Sequence, residues 1–187
     1  MVGWIIVAAL AVLVVWGIAK YNGLITLRNQ VANGWKQIDV QLKRRHDLIP
    51  NLVSTVKGIM EFEQDTLMKV IEARSAAMGA RGVKDAAAKE GALTDALSKF
   101  FVVVEQYPQL RASENVNKLQ EELTSTENKV SFARQFYNDI ATTFNTAQQV
   151  FPDNLVAGAF HFQPAELFEI TVAAEREVPA VNLSLKK

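Results

Sequence analysis

The residues best suited to chemistry form one basic run, Lys43-Arg44-Arg45, followed by His46 and set within Trp35 to Val56, WKQIDVQLKRRHDLIPNLVSTV. Three adjacent cations favour anions, as lipid headgroups or as an acidic partner surface. The simpler reading is a solvated helix face near a C-terminus, where cations complement the helix dipole. A second polar cluster, Glu61, Glu63 and Asp65, is acidic. Carboxylates two residues apart point to different faces of a helix, so spacing alone does not make them a general acid/base pair. His46 and His161 are the two histidines and there is no cysteine, which excludes thiolate nucleophiles, disulfides, and histidine-rich or thiolate metal sites. An enzyme needs convergent nucleophiles, bases or ligands. Scattered carboxylates and two distant histidines do not supply them, so no catalytic residue, metal or cofactor is expected.

The basic run needs elements to hold it. Trp35, Ile38 and Leu42, then Ile49, Leu52, Val53 and Val56, recur at helical spacing on either side. Pro50 lacks a backbone donor and discourages the helical conformation in Ile49, so the stretch reads as the elbow of a helical hairpin, with Asp47 as a cap and Asn51 beside it. Lys plus Arg and Asp plus Glu number 20 each in 187 residues. With no basic excess to displace counterions, nucleic acid is not an expected partner.

Val2 to Ala19 is an uncharged run of eighteen residues, VGWIIVAALAVLVVWGIA, close to the minimum that crosses a hydrocarbon core of about 30 Å. Trp4 and Trp16 near its ends, with Tyr21 beyond, suit the headgroup level. A cleaved signal peptide wants basic residues ahead of its apolar run, and a core helix this uniform needs burial all round. An uncleaved single-pass anchor is therefore expected. Lys20, Arg28 and Lys36 follow the span, and the positive-inside rule then places the N-terminus outside and the remainder in the cytoplasm.

Leu24, Leu27 and Val31 continue the stripe, so the anchor is expected to run straight into the first soluble helix. A second helical region ends at Met78 to Lys84, MGARGVK, and a third runs from near Asp85 through Leu93, Leu97, Phe100, Phe101 and Val104 to a stop at Tyr107-Pro108. The last long element carries Val116, Leu119, Leu123, Thr126, Val130, Ala133, Tyr137, Ile140, Phe144, Ala147 and Phe151 at alternating spacings of three and four, a heptad seam with Ser113 as its N-cap. Such a seam packs on a helix of the same bundle, or between copies as a coiled coil in a homo-oligomer. Arg134, Tyr137 and Asn138, on or near it, read as a polar contact that sets register. Asn154 to Phe168 is expected to cap an open end of the bundle, or to form a sticky patch. The fold class is all-α: an anchor over 1–20 continuing into an elongated antiparallel four-helix-type bundle over 21–168, then a tail over 169–187.

With these segments set out, the chain resembles the bacterial LemA family. The resemblance rests on Met1-Val-Gly-Trp-Ile-Ile6, Tyr21-Asn22 with Leu27-Arg28-Asn29, Trp35 to Val56, and Glu72-Ala-Arg74. It continues through Tyr107-Pro108, Leu119-Gln-Glu-Glu-Leu123 with Glu127, Ala133-Arg134 with Tyr137-Asn138, and Phe151 to Ala157. It implies a single-pass membrane protein carrying an elongated antiparallel helical bundle, with relatives in magnetosome membranes, and it does not itself imply an enzymatic activity; the expected location is the bacterial inner membrane. Two functional classes remain open: a self-associating scaffold that organises or shapes the bilayer, and an adaptor for another envelope protein such as a membrane protease. Lys43, Arg44 and Arg45 are the candidate lipid or partner contacts.

Overall fold

The computed structural model describes residues 1–59 and 63–169. Among them the regular structure is entirely helical: α1 Val2–Ile59, α2 Gln64–Met78, α3 Val83–Val104, α4 Pro108–Arg111, α5 Glu114–Ala147 and α6 Asp153–Ala159. Glu61, named above, and the tail from Ile170 lie outside the described residues.

The expected elbow is not at Pro50. α1 runs unbroken through it for 58 residues, roughly 87 Å at 1.5 Å per residue, and Asp47 is an exposed mid-helix residue rather than a cap. Proline inside a helix removes one main-chain donor and normally costs about 3 kcal/mol. Here the acceptor it orphans, the His46 carbonyl, receives Arg74 Nε at 2.7 Å from α2. The chain reverses after Ile59 instead.

The first 18-residue window of α1 is apolar and not buried at all by the rest of the chain. A helix exposing Trp4, Ile5, Ile6, Val7, Leu10 and Val12 together has no stable place in water, and a bilayer is the medium that suits it. Beyond the anchor, α1 and α5 pack side by side and antiparallel. Tyr137 lies against Gly34 so closely that a Cβ there would stand 3.5 Å from its ring. The seam on α5 is real at its seven-residue positions: Val116, Leu123, Val130, Tyr137 and Phe144 are all buried. It stops earlier than the pattern predicts, because α5 ends at Ala147 and Phe151 points into solvent at 75 % exposure. Ser113 Oγ caps α5 by accepting from Val116 N.

Far from the anchor the bundle has four long helices, α1, α2, α3 and α5, with the short α4 against them. Ile49, Leu52, Val53 and Val56 pack with Leu67 and Val70 of α2, Leu93, Leu97, Phe100 and Val104 of α3, Leu110 of α4 and Val116 of α5. Phe101 to Val104 is therefore the end of a helix despite its strand propensity, with Val104 buried, Phe101 and Val103 partly so, and Val102 facing out. The α2–α3 hairpin turns at Gly82, whose φ of 82° suits glycine. Asp85 accepts from Arg81 N and from Lys89 Nζ, and the Lys89 and Arg81 donors hold its carboxyl below the ordinary range.

Since α2 and α3 cover only the distal half, the half nearer the anchor is the α1/α5 pair completed by other means. α6 caps it, with Val156 and Ala157 against Leu24 and Phe144. After a turn at Phe160 and His161, a strap over residues 162–169 climbs back along α5 and buries Phe168 among Ile38, Leu42, Ala86, Ala87 and Tyr137. The segment Asn154 to Phe168 thus closes the bundle, as a helical cap followed by a strap.

Candidate functional site

Between the distal and middle apolar clusters lies one polar layer to which all four long helices contribute. The α1 stripe predicts a buried position between Leu42 and Ile49, and Arg45 and His46 occupy it, 3 % and 8 % exposed. From α3, Glu90, also 3 % exposed, meets both: Oε1 is 2.7 Å from His46 Nε2, and Oε2 is 3.4 Å from Arg45 Nη1. Arg45 Nη2 donates to Thr94 Oγ1 at 2.9 Å, and that hydroxyl donates to the Glu90 carbonyl. From α5, Glu127 Oε2 stands 2.8 Å from Arg45 Nη1. That oxygen is buried yet off the hydrogen-bonding axis, so its contribution is ionic. From α2, Arg74 closes the layer on the His46 carbonyl.

The charges balance within the layer. Arg45 faces the two carboxylates Glu90 and Glu127 while Arg74 adds a second guanidinium on the His46 carbonyl, and each oxygen of Glu90 has a partner, which is the condition for burying ions without a large penalty. What such a set can do chemically is limited. His46 and Glu90 form an acid–base pair, but the adjacent hydroxyl, Thr94, is occupied as both donor and acceptor, so no activated nucleophile stands beside them. No group of three or more His, Cys, Asp or Glu able to hold a metal occurs among the described residues. Shallow grooves flank the layer. One of about 300 Å³ is lined by Asp39, Lys43, His46, Asp47 and Glu90, and one of about 170 Å³ by Arg45, Thr94, Ser98, Glu127 and Asn128.

The basic run does not form one surface. Lys43 and Arg44 are exposed whereas Arg45 turns inward, because helical geometry places residues 42, 45 and 49 on the same side. Arg45 is thus withdrawn from the expected lipid or partner contact and belongs to the polar layer. Of the interface aromatics, Trp4 is fully on the outside of the anchor at 80 % exposure. Trp16 packs partly against the α6 end, and Tyr21 meets the Phe160 ring tilted and the Phe162 ring edge-on, with ring centroids 4.6 and 5.9 Å apart.

A second constellation is a ladder on α5. Asn145 binds the strap through both ends of its amide, accepting from Ala165 N at 2.7 Å and donating to Ala165 O at 2.9 Å. Asn138 does the same with Phe168, at 2.8 and 3.1 Å. Seven residues of helix rise about 10.5 Å, and three of extended chain about 10 Å, so the two amides are in step with the strap. Tyr137 Oη donates to the Glu166 carbonyl at 2.7 Å, and Arg134 lies over the Phe168 ring at 5.1 Å. The polar residues on the seam therefore do set register, against the strap. Burial, and then the nearby Glu166 charge, push the Tyr137 phenol above its usual value.

A third feature is an unpartnered apolar strip on the outer face of the α1/α5 pair: Val40, Phe132 and Phe136, 62, 72 and 47 % exposed. They line a groove rimmed by Lys36 and Lys129.

Comparison with known proteins places these features in a family. Residues 34–183 match the LemA family. A protein LemA of Metamycoplasma hominis is 25 % identical over 167 residues, covering 89 % of this chain and 74 % of the relative. Magnetosome protein MamQ 2 of Paramagnetospirillum magneticum is 22 % identical over 185 residues, covering 85 % and 68 %. Magnetosome protein MamQ of Magnetospirillum gryphiswaldense is 21 % identical over the same length. The matched region takes in the polar layer, the Asn ladder and the α6 cap, and the chain belongs to the LemA family of membrane-associated proteins.

Proposed function

We propose that this protein is a non-enzymatic, single-pass scaffold of the bacterial inner membrane, with its bundle in the cytoplasm, and that it self-associates to organise or shape the bilayer. The observation that carries the reading is the exposed strip of Val40, Phe132 and Phe136. Val40 lies on α1, continuous with the anchor, and Phe132 and Phe136 lie on α5 packed against it, so every copy presents the strip at the same height above the membrane. Two copies related by an axis along the membrane normal then bring like residues together, the self-complementary arrangement of a two-fold interface. The rim lysines Lys36 and Lys129 reach outward to water along their stems. The polar layer contributes stiffness and register to this rod. Relatives named as magnetosome proteins agree with a role at a shaped membrane.

The test is the mass of the full chain in mild detergent by light scattering, beside Phe132→Ser/Phe136→Ser and a form lacking Met1 to Ala19. A discrete oligomer that loses mass in the double variant is the expected result. A monomer throughout overturns self-association and favours the adaptor for another envelope protein, with Lys43 and Arg44 as its exposed contacts.

A further inference from the structure

At the base of the bundle the turn from α5 into α6, α6 itself and the turn that leads into the strap expose four large apolar side chains within a short stretch. Val150 is 52 % exposed, Phe151 75 %, Leu155 60 % and Phe160 61 %. Their neighbours Val156 and Ala157 are buried against Leu24 and Phe144, so the exposed set is the outer side of a cap whose inner side is fixed.

The height of that cap along α1 is tied down at three points. The antiparallel register that sets Tyr137 against Gly34 carries Val150 and Phe151 to the level of Tyr21 and Lys20. Lys20 Nζ meets Asp153 Oδ1 at 2.8 Å, and the Phe160 ring packs tilted against Tyr21, centroids 4.6 Å apart. Lys20 and Tyr21 directly follow the uncharged run Val2 to Ala19, at the depth where a span of about 20 residues leaves the hydrocarbon core. From Gln148 to Phe160 the single acidic or basic side chain is Asp153, and Lys20 neutralises it. Four exposed apolar groups, without net charge, therefore sit beside the exit point of the anchor.

We infer that Val150, Phe151, Leu155 and Phe160 form a foot that inserts into the acyl–headgroup boundary of the bilayer, giving the bundle a second membrane contact beside the α1 anchor. The inference rests on Val2 to Ala19 crossing the membrane. With two contacts the rod is held upright and cannot swivel about Lys20. Because the foot carries no net charge, its insertion needs no anionic lipid, unlike contacts made by basic clusters.

The absence of cysteine gives a direct test with the full chain in phosphatidylcholine vesicles. A spin label is placed singly at Phe151→Cys, Leu155→Cys, Val12→Cys within the span and Ser125→Cys on the exposed side of the bundle. Collision with oxygen and with a water-soluble nickel chelate is then compared. The expected result is access of the chelate to positions 151 and 155 reduced several-fold below that at 125, with oxygen access raised toward that at 12. Chelate access at 151 and 155 equal to that at 125, while 12 remains protected, overturns the foot and leaves the span standing. Chelate access at 12 as well overturns the span and the foot together. Protection at 151 and 155 that disappears as protein is diluted into excess lipid also overturns the foot, since a second copy is then its cover.

Discussion

Arg74 Nε donates to the main-chain oxygen of His46 at 2.7 Å, the acceptor that Pro50, four residues on, leaves without a helical N–H. A side chain from α2 thus completes the hydrogen bonding of α1 and lets a 58-residue helix pass through a proline. Arg74→Met keeps the length of the side chain and removes the donor, so it should cost about 1–3 kcal/mol in chemical denaturation. In a Pro50→Ala background the alanine N–H serves the same oxygen, and the cost of Arg74→Met should fall below about 1 kcal/mol. Equal costs in the two backgrounds would show that Arg74 acts by some other contact.

The error at Pro50 and the misreading of Arg45 share a cause. The apolar stripe of α1 runs Ile38, Leu42, Ile49, Val53, and its spacing demands one further buried position between Leu42 and Ile49. Residue type at 45 and 46 argues for the surface, residue position for the interior, and position wins because Glu90 and Glu127 arrive from α3 and α5. That periodic gap was the legible signal. The carboxylate partners were not, since nothing local in α3 distinguishes Glu90 from a solvated glutamate. The anchor, the seam and the Ser113 cap depend on local pattern and could be read directly. The Asn ladder could not, because it needs the strap to come back beside α5 from a segment with no regular period.

Burial of Arg45 and Glu90 at 3 % exposure each makes the polar layer asymmetric under mutation. Glu90→Leu leaves a buried guanidinium with the partly exposed Glu127 as its one carboxylate beside the Thr94 hydroxyl, and should destabilise the bundle by about 3–5 kcal/mol. Arg45→Met/Glu90→Leu removes both ions, and should recover most of that loss. The ordering of the two variants, read from denaturation midpoints, is the test. A double variant weaker than the single one would mean that Arg45 is held by something other than its ion pairs.

The ladder makes a residue-resolved prediction. Asn145→Ala removes both bonds to Ala165, each contributing about 1 kcal/mol net. Hydrogen exchange at the Ala165 amide should rise to that of exposed chain. Loss at Phe168 should follow only partly, because Asn138 and the buried Phe168 ring still hold that end. Protection at Ala165 unchanged by the substitution would assign the strap's order to apolar packing alone.

Tyr137 links the strap to pH. Tyr137 is buried, and its phenol donates to the Glu166 carbonyl and is raised from the ordinary value of 10.0 by burial first and by the Glu166 charge second. A folded value above the unfolded one means that the native state holds the proton more tightly. Its stabilising effect is therefore complete below about pH 10, and is lost as pH rises through the higher folded value. Lysines titrate in the same range, so the informative quantity is the difference between the parent and Tyr137→Phe. The variant should be less stable at pH 8 by about 1 kcal/mol, the net worth of one hydrogen bond. That gap should narrow above pH 10, because the parent then loses stability from a proton that phenylalanine does not carry. Parallel pH profiles for the two proteins would show that the phenol ionises no harder in the fold than out of it, and that the strap is indifferent to its charge.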